Sequence, residues 1–290
     1  MIPNNNLSVL PWYTSIEQQN ARKWWIYNRV YPLFTPAGFL PPFQIIKAHT
    51  GVSTVFDFKI YYADGRIYGT YTTEMNAAIV QKQFPSLGYD VHIFGGQTPF
   101  LPSMPNGQYY CMILFGGNLR LFSEIFTVVN DIEPYLKLTW WDSEDFVFDS
   151  GIIVYKYSND TQFKNVIYLP SDIAKPEYVF EEEGETRDGY FFPTKQISEK
   201  RYRFNFLAPE YLLDVMRFVR MADFAEIEYH GQRYSLDTFL ITPEWEDNGD
   251  VAVVEAVFDT ATAAKKTGLG YVKAQRGDFN DDFNNDYNNQ

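Results

Sequence analysis

The chain has one cysteine in 290 residues, Cys111, so no disulfide can form within it and no cysteine-ligated metal site is available. Cys111 lies inside the apolar run Tyr109 to Phe115 and reads as a buried, inert thiol. Histidine is also scarce. His49, His92 and His230 are far apart, and none pairs at i, i+4 around a glutamate, which excludes a zincin-type helix. There is no phosphate-binding loop, no dinucleotide fingerprint after a strand and no nucleophile elbow. No apolar run approaches about 18 residues, so no membrane-spanning helix is expected. The opening Met1-Ile2-Pro3-Asn4-Asn5-Asn6 lacks a basic region and a long apolar core, so no signal peptide is expected and synthesis in a cytoplasm is. Positive charge is short as well: 24 Lys and Arg face 37 Asp and Glu, for a net charge of −13 and a pI of about 4.7. That balance lacks the basic footprint of a groove-reading nucleic-acid binder. It gives solubility and suits a surface that DNA slides past without sticking.

Hydrophobic residues make up 46 % and aromatics 18 %, enough for a packed core and too much for wholesale disorder. Such an aromatic load, mostly Phe and Tyr, suits strands and buried interfaces. The clearest local signal runs from Ser198 to Thr260. Arg201, Arg203 and Asn205 alternate with Tyr202, Phe204 and Phe206, the period of a strand with one wet and one dry face. Ala208-Pro209-Glu210 then starts a helix, with Pro209 at its first position and Glu210 at the positive end of the dipole. Leu212, Val215, Met216 and Val219 form its apolar stripe. A hairpin follows: Ala225 to Tyr229, a turn at His230-Gly231, then Arg233 to Ile241. Pro243 to Gly249 breaks the pattern, and Val251 to Phe258 restores it as a last strand.

Upstream, residues 1–30 read as an N-terminal arm, with a short helix over Ser15 to Asn28 that carries Trp24 and Trp25. Those two rings pack either on their own chain or on a neighbouring subunit. Four prolines make Tyr31 to Pro42 extended linker or edge. From there to residue 132, short alternating strands are punctuated by Asp64-Gly65, Gly95-Gly96 and Gly116-Gly117, with a short helix over Thr72 to Gln83. This pattern predicts an immunoglobulin- or fibronectin-like β-sandwich without its disulfide. Asp131 to Pro134 marks the boundary, and residues 133–270 form a second β-sandwich or barrel carrying one α-helix. The fold class is therefore mainly β. Residues 271–290 form an acidic Asn/Asp-rich tail with Phe279, Phe283 and Tyr287 spaced by four.

Acidic clusters are the remaining place to look for chemistry. Asp142, Glu144, Asp145 and Asp149 follow Trp140-Trp141, and Glu244 to Asp247 surround Trp245. A tryptophan beside acids can hold a sugar and supply an acid and a base, and an ordinary domain edge carries the same residues. The acids at 278, 281, 282 and 286 do not have EF-hand spacing. No catalytic, cofactor-binding or metal-binding residue is assigned, and no cofactor is expected.

Glu199-Lys200-Arg201-Tyr202-Arg203-Phe204, Ala208 to Asp214, Tyr234, and Pro243-Glu244-Trp245 followed by Gly249 to Ala252 resemble a recurring protein of phages and prophages of gut Bacteroidetes, crAss-like phages included. The likeness spans roughly residues 100 to 270. It implies a structural protein of the tail or neck, similar to tail-tube and distal-tail folds, in which a β-sandwich carries one helix and subunits join into rings. The implied role is non-enzymatic: self-association, docking to other tail or neck proteins, and passive contact with translocating DNA. The rival expectation is a carbohydrate-binding module with Trp140, Trp141 or Trp245 as platforms. The interaction residues singled out are Trp24, Trp25, Trp140, Trp141, Phe279, Phe283 and Tyr287. Deleting residues 1–28 or 275–290 is expected to weaken assembly while leaving thermal melting unchanged; sedimentation of each truncated chain checks this, and unimpaired assembly would refute these anchors.

Overall fold

A computed structural model describes residues 8–16, 33–50, 55–96, 104–116, 119–143, 146–147, 153–154, 163–187, 189–245, 251–260 and 264–267. Trp24, Trp25, Phe279, Phe283 and Tyr287 lie outside them.

The fold is mainly β, and its long sheet starts from the N-terminal residues. Strand β1 (Trp12–Tyr13) pairs with β9 (Leu119–Ser123), and Val9, Leu10 and Trp12 are buried. This first part of the expected arm therefore lies on the body, because its apolar side chains fill the core, and deleting residues 1–28 is expected to lower thermal melting rather than leave it unchanged. Strand β9 continues the hairpin from β8 (Gly107–Phe115), which also pairs with β4 (Phe56–Tyr62) and β10 (Phe126–Val129). Strand β5 (Ile67–Thr70) closes the Asp64-Gly65 hairpin onto β4. The helix expected over Thr72 to Gln83 is shorter. It is α1 (Thr72–Ala78), and Val80–Phe84 forms strand β6 instead. Asn76 explains the stop in part. Its side chain is committed to β4, donating to the Phe56 carbonyl at 2.7 Å and accepting the Phe56 N–H at 3.3 Å.

A second sheet of three strands has β7 (Tyr89–Phe94) between β3 (Phe43–Ala48) and β6. Strand β7 is buried on both faces. Asp90, His92 and Phe94 face the main sheet, where the His92 ring lies 5.0 Å from Phe115 and 6.2 Å from Phe56. Tyr89, Val91 and Ile93 pack on the other side with Ile46 and Phe163. Two sheets packed face to face thus enclose the first part of the core.

Hydrogen bonding runs across the expected boundary near residue 132. Strand β2 (Phe34–Pro36) pairs parallel with β10 on one edge and meets β14 (Asn165–Leu169) on the other through Tyr168↔Phe34. Strand β14 pairs with β11 (Leu136–Trp141), and β11 with β17 (Phe224–Tyr229). A separate two-stranded ladder joins β12 (Phe146–Val147) to β13 (Ile153–Val154). One set of buried apolar side chains extends from Val9 to Phe258, through both halves.

Beyond β17 the main sheet continues as β18 (Gln232–Trp245), β19 (Val251–Thr260), β16 (Tyr190–Pro209) and β15 (Glu177–Arg187), with β20 (Ala264–Thr267) also on β16. The β17–β18 turn is His230-Gly231, with φ of 47° and 74°, the positive values of a tight primed hairpin turn. Strand β18 leaves β17 after Ser235 and joins β19 from Leu236, with a bulge where it switches. It then runs on through Pro243 to Trp245 rather than breaking at Pro243. Past Ser235 its other edge faces no described strand, the edge setting in which a strand tolerates proline.

Helix α2 (Glu210–Met216) lies on one face of this sheet and tightens into a 3-10 turn over Arg217–Met221. Pro209 caps it from outside, in extended conformation and paired with Val251, rather than occupying the first helical position. Leu212, Val215, Met216 and Val219 bury against Phe204, Phe206, Phe239, Val254 and Phe258, so the amphipathic stripe meets the dry faces of three strands. Phe258 centres the aromatic contacts, with Tyr202 stacked at 5.2 Å and Phe204 edge-on at 6.2 Å. Phe258→Ala is expected to cost about 3–5 kcal/mol of stability by leaving a cavity, measured as a lower urea midpoint at unchanged slope.

Candidate interaction site

Strand β16 is 20 residues long, about 65 Å at 3.3 Å per residue. Its last part, Arg201 to Pro209, pairs with β19 in the body. The rest pairs with β15 along its whole length and with β20 over Lys195 to Ser198, forming a β arm. Tyr190 stands eleven positions, about 36 Å, beyond Arg201. The outer edge of β15 meets no other strand among the described residues.

The arm inherits the alternation of the body. Even-numbered Phe204 and Phe206 of β16 face α2, and the same face continues outward past the helix. There it presents Phe180 and Tyr178 opposite Ser198 and Lys200, and past the bulge, which leaves Thr194 unpaired and reverses the parity of β16, it presents Phe191, while Tyr190 and Phe192 turn to the other face. Tyr178, Phe180 and Phe191 are 71 %, 60 % and 50 % exposed. Scattered apolar exposure is ordinary, but three large rings gathered on one projecting face are not. Five of the eleven residues of β15 are glutamate. Lys195 pairs with Glu183 at 2.5 Å, Gln196 donates to Glu182, and Arg203 bridges Glu177 at 3.1 Å and Glu255 at 3.3 Å. These exposed pairs fix register more than stability. Gly184 sits at a bulge, where an added Cβ would lie 2.3 Å from the Phe192 carbonyl oxygen.

At the base of the arm, Arg201 forks onto Asp259 at 2.9 and 3.2 Å, and Thr238 donates to the same carboxylate. Burial works against ionising Asp259, but these bonds outweigh it and hold the carboxyl below its usual range. The Tyr229 hydroxyl donates to Asp172, tying the segment before β15 to the body.

The sequence-predicted residues are placed differently. Trp140 is 2 % exposed within the core, so it presents no ring face to a partner. The alternation explains the correction: Leu136, Leu138 and Trp140 share the inner face of β11, and Trp141 turns outward. Trp141 is half-buried, stacked on Phe224 at 5.4 Å, with the Lys164 ammonium 3.7 Å from its ring centre. Beside it opens a cleft of about 350 Å³ between the 39–42 segment and the outer faces of β14, β11 and β17. Lys137, Lys164 and Arg233 line it with Glu226 and Tyr168, and Glu228 pairs with Lys137 at 3.6 Å and Arg233 at 3.7 Å. Burial, helped by Glu228, pushes the Tyr168 hydroxyl up to about 12.

Among the suspected acids, Asp142 accepts the Asp223 N–H at 3.1 Å, and burial raises its pKa. Asp223 in turn accepts the Ser143 N–H at 2.8 Å and its hydroxyl, so these carboxylates pin β11 to β17. Glu144, Asp145 and Asp149 lie outside the described residues. Among the described residues no three His, Cys, Asp or Glu side chains are gathered to hold a metal ion. Cys111 is buried, which raises its thiol pKa. No described helix is long and apolar enough to cross a membrane.

A buried polar group escaped the sequence reading. Asp90 takes His49 at 2.6 Å and has Lys47 at 3.8 Å, and His92 beside it is buried with Nε2 unbonded. No protein-family model matches this chain, and no curated protein sequence matches it.

Burial, reinforced by Lys47 and opposed by Asp90, lowers the His92 pKa from 6.5 to about 4. Between those values the unfolded chain binds a proton that the folded chain refuses, so stability falls as pH drops through that window. The loss is expected to reach at most about 3 kcal/mol, read from urea midpoints across pH. His92→Gln, neutral throughout, should flatten that part of the profile.

Proposed function

We propose that this chain is a virion structural protein, a ring-forming subunit of a phage tail, tail hub or head–tail junction that works by self-association and docking. The observation that carries the reading is the projecting β arm. A strand pair extending about 36 Å beyond the body, with exposed aromatics and an edge that meets no described strand, is expensive to keep unless it finds a partner. The net charge of −13 supports a conduit that DNA crosses without binding. The phage assignment rests on the likeness of the 199–214 and 243–252 segments to tail and neck proteins. Assembly in the virion after synthesis in a bacterial cytoplasm, alongside other tail or neck proteins, follows from that assignment.

The carbohydrate reading has weaker support. Trp140 is buried, and Trp141 is engaged by Phe224 and Lys164. Trp245, 46 % exposed at the end of β18, is the ring it would have to use.

Native mass spectrometry across a concentration series, with negative-stain images alongside, tests the choice. Closed rings of one size are the expected result. A chain that stays monomeric at every concentration and binds a glycan array through Trp245 would overturn the proposal.

A further inference from the structure

We infer that the arm of one copy seats on the surface around Arg217, Arg220, Met221 and Phe224 of the next copy, head to tail. The inference rests on the self-association reading and names the two surfaces that meet. In a chain this acidic, unpaired cations on a surface are informative. Arg217 and Arg220 are exposed on the 3-10 turn after α2 and have no ion-pair partner among the described residues, and the Arg217 guanidinium lies 5.2 Å from the Phe218 ring centre. Met221 and Phe224 beside them are 58 % and 48 % exposed. The patch therefore offers two guanidinium groups and two apolar groups together.

The arm offers the complement. One face of it carries Tyr178, Phe180 and Phe191 with Glu182 among them, and Glu181 stands next to Glu182 on the other face of the same edge strand. A guanidinium is matched both by a carboxylate, through a charge-assisted fork, and by an aromatic face. Met221 and Phe224 match the remaining ring surface.

The two surfaces do not meet within one copy. Phe224 begins β17, and the sheet order β17-β18-β19-β16-β15 puts the arm strand four places away. At about 4.8 Å per strand that is roughly 19 Å across the sheet, and the arm then runs outward. Two different patches on one molecule make a heterologous contact, which repeats from copy to copy and closes a ring when the rotation allows.

Charge exchange in the full-length chain tests this by mass photometry over a dilution series. Arg217→Glu with Arg220→Glu is expected to raise the half-assembly concentration about tenfold or more, and so is Glu181→Arg with Glu182→Arg. All four side chains are exposed, so thermal melting should not move. Mixing the two doubly substituted chains leaves one interface with both charges reversed. Combining all four substitutions in one chain is expected to restore assembly to within about threefold of the parent. If the parent assembles but the substituted chains assemble equally well, or the fourfold variant stays weak, this contact is wrong and the ring reading stands. If the parent never assembles, the ring reading falls and takes this contact with it.

Discussion

Strand β16 is the constraint on which the second half of the molecule depends. Its backbone serves three ladders, with β15 along one edge and with β19 and β20 along the other. Because side chains alternate strictly along a strand, one register sets every face at once. The phase that turns Phe204 and Phe206 toward α2 also turns Tyr178 and Phe180 of β15 and, across the bulge at Gly184, Phe191 to the same side of the arm, where no described helix covers them. A one-residue slip would bury Arg203 and Asn205 and expose both phenylalanines. The Arg201–Asp259–Thr238 fork stands where body becomes arm and opposes that slip with three directed bonds.

A second constraint is the narrow joint made by β2. Three parallel rungs bind it to β10, and one rung binds it to β14. Backbone bonds from Thr127 to the Leu33 carbonyl and from Ala37 to the Val129 carbonyl extend the contact on the β10 side. The cleft lined by Lys137, Lys164 and Arg233 opens at this joint, because the 39–42 segment leaves β2 and passes over the charged outer faces of β11 and β14. Sheet continuity and a shared apolar core thus link the halves, though few backbone bonds cross between them.

The polar group at Asp90 and His92 shows what the sandwich tolerates. Burying these side chains between Phe56, Phe115 and the rest of β7 costs stability that apolar residues would not. Lys47 and His49 compensate Asp90 from β3 and the turn after it, and His92 is compensated by losing its charge.

Much of the local structure was legible in the chain. Period-2 alternation located β4, β17 and β19, apolar runs ended by glycines located β7 and β8, Asp64-Gly65 and His230-Gly231 located two turns, and the Leu212, Val215, Met216, Val219 stripe located α2 and its buried face. These signals are local, because a strand's alternation and a turn's positive φ are properties of neighbouring residues. The arm was not legible as an arm. Alternation is clear only over Arg201 to Phe206, and nothing in residues 190 to 200 marks that the same strand runs on past α2. Nor does sequence show that Trp140 is enclosed while Trp141 is half-open, or that Asp142 serves the Asp223 backbone. By itself the sequence determined a mainly β chain with one amphipathic helix and an acidic surface. Which aromatic faces are covered, which strands continue past the body, and which charged side chains pair were decided by long-range strand pairing, because exposure depends on what packs from distant parts of the chain.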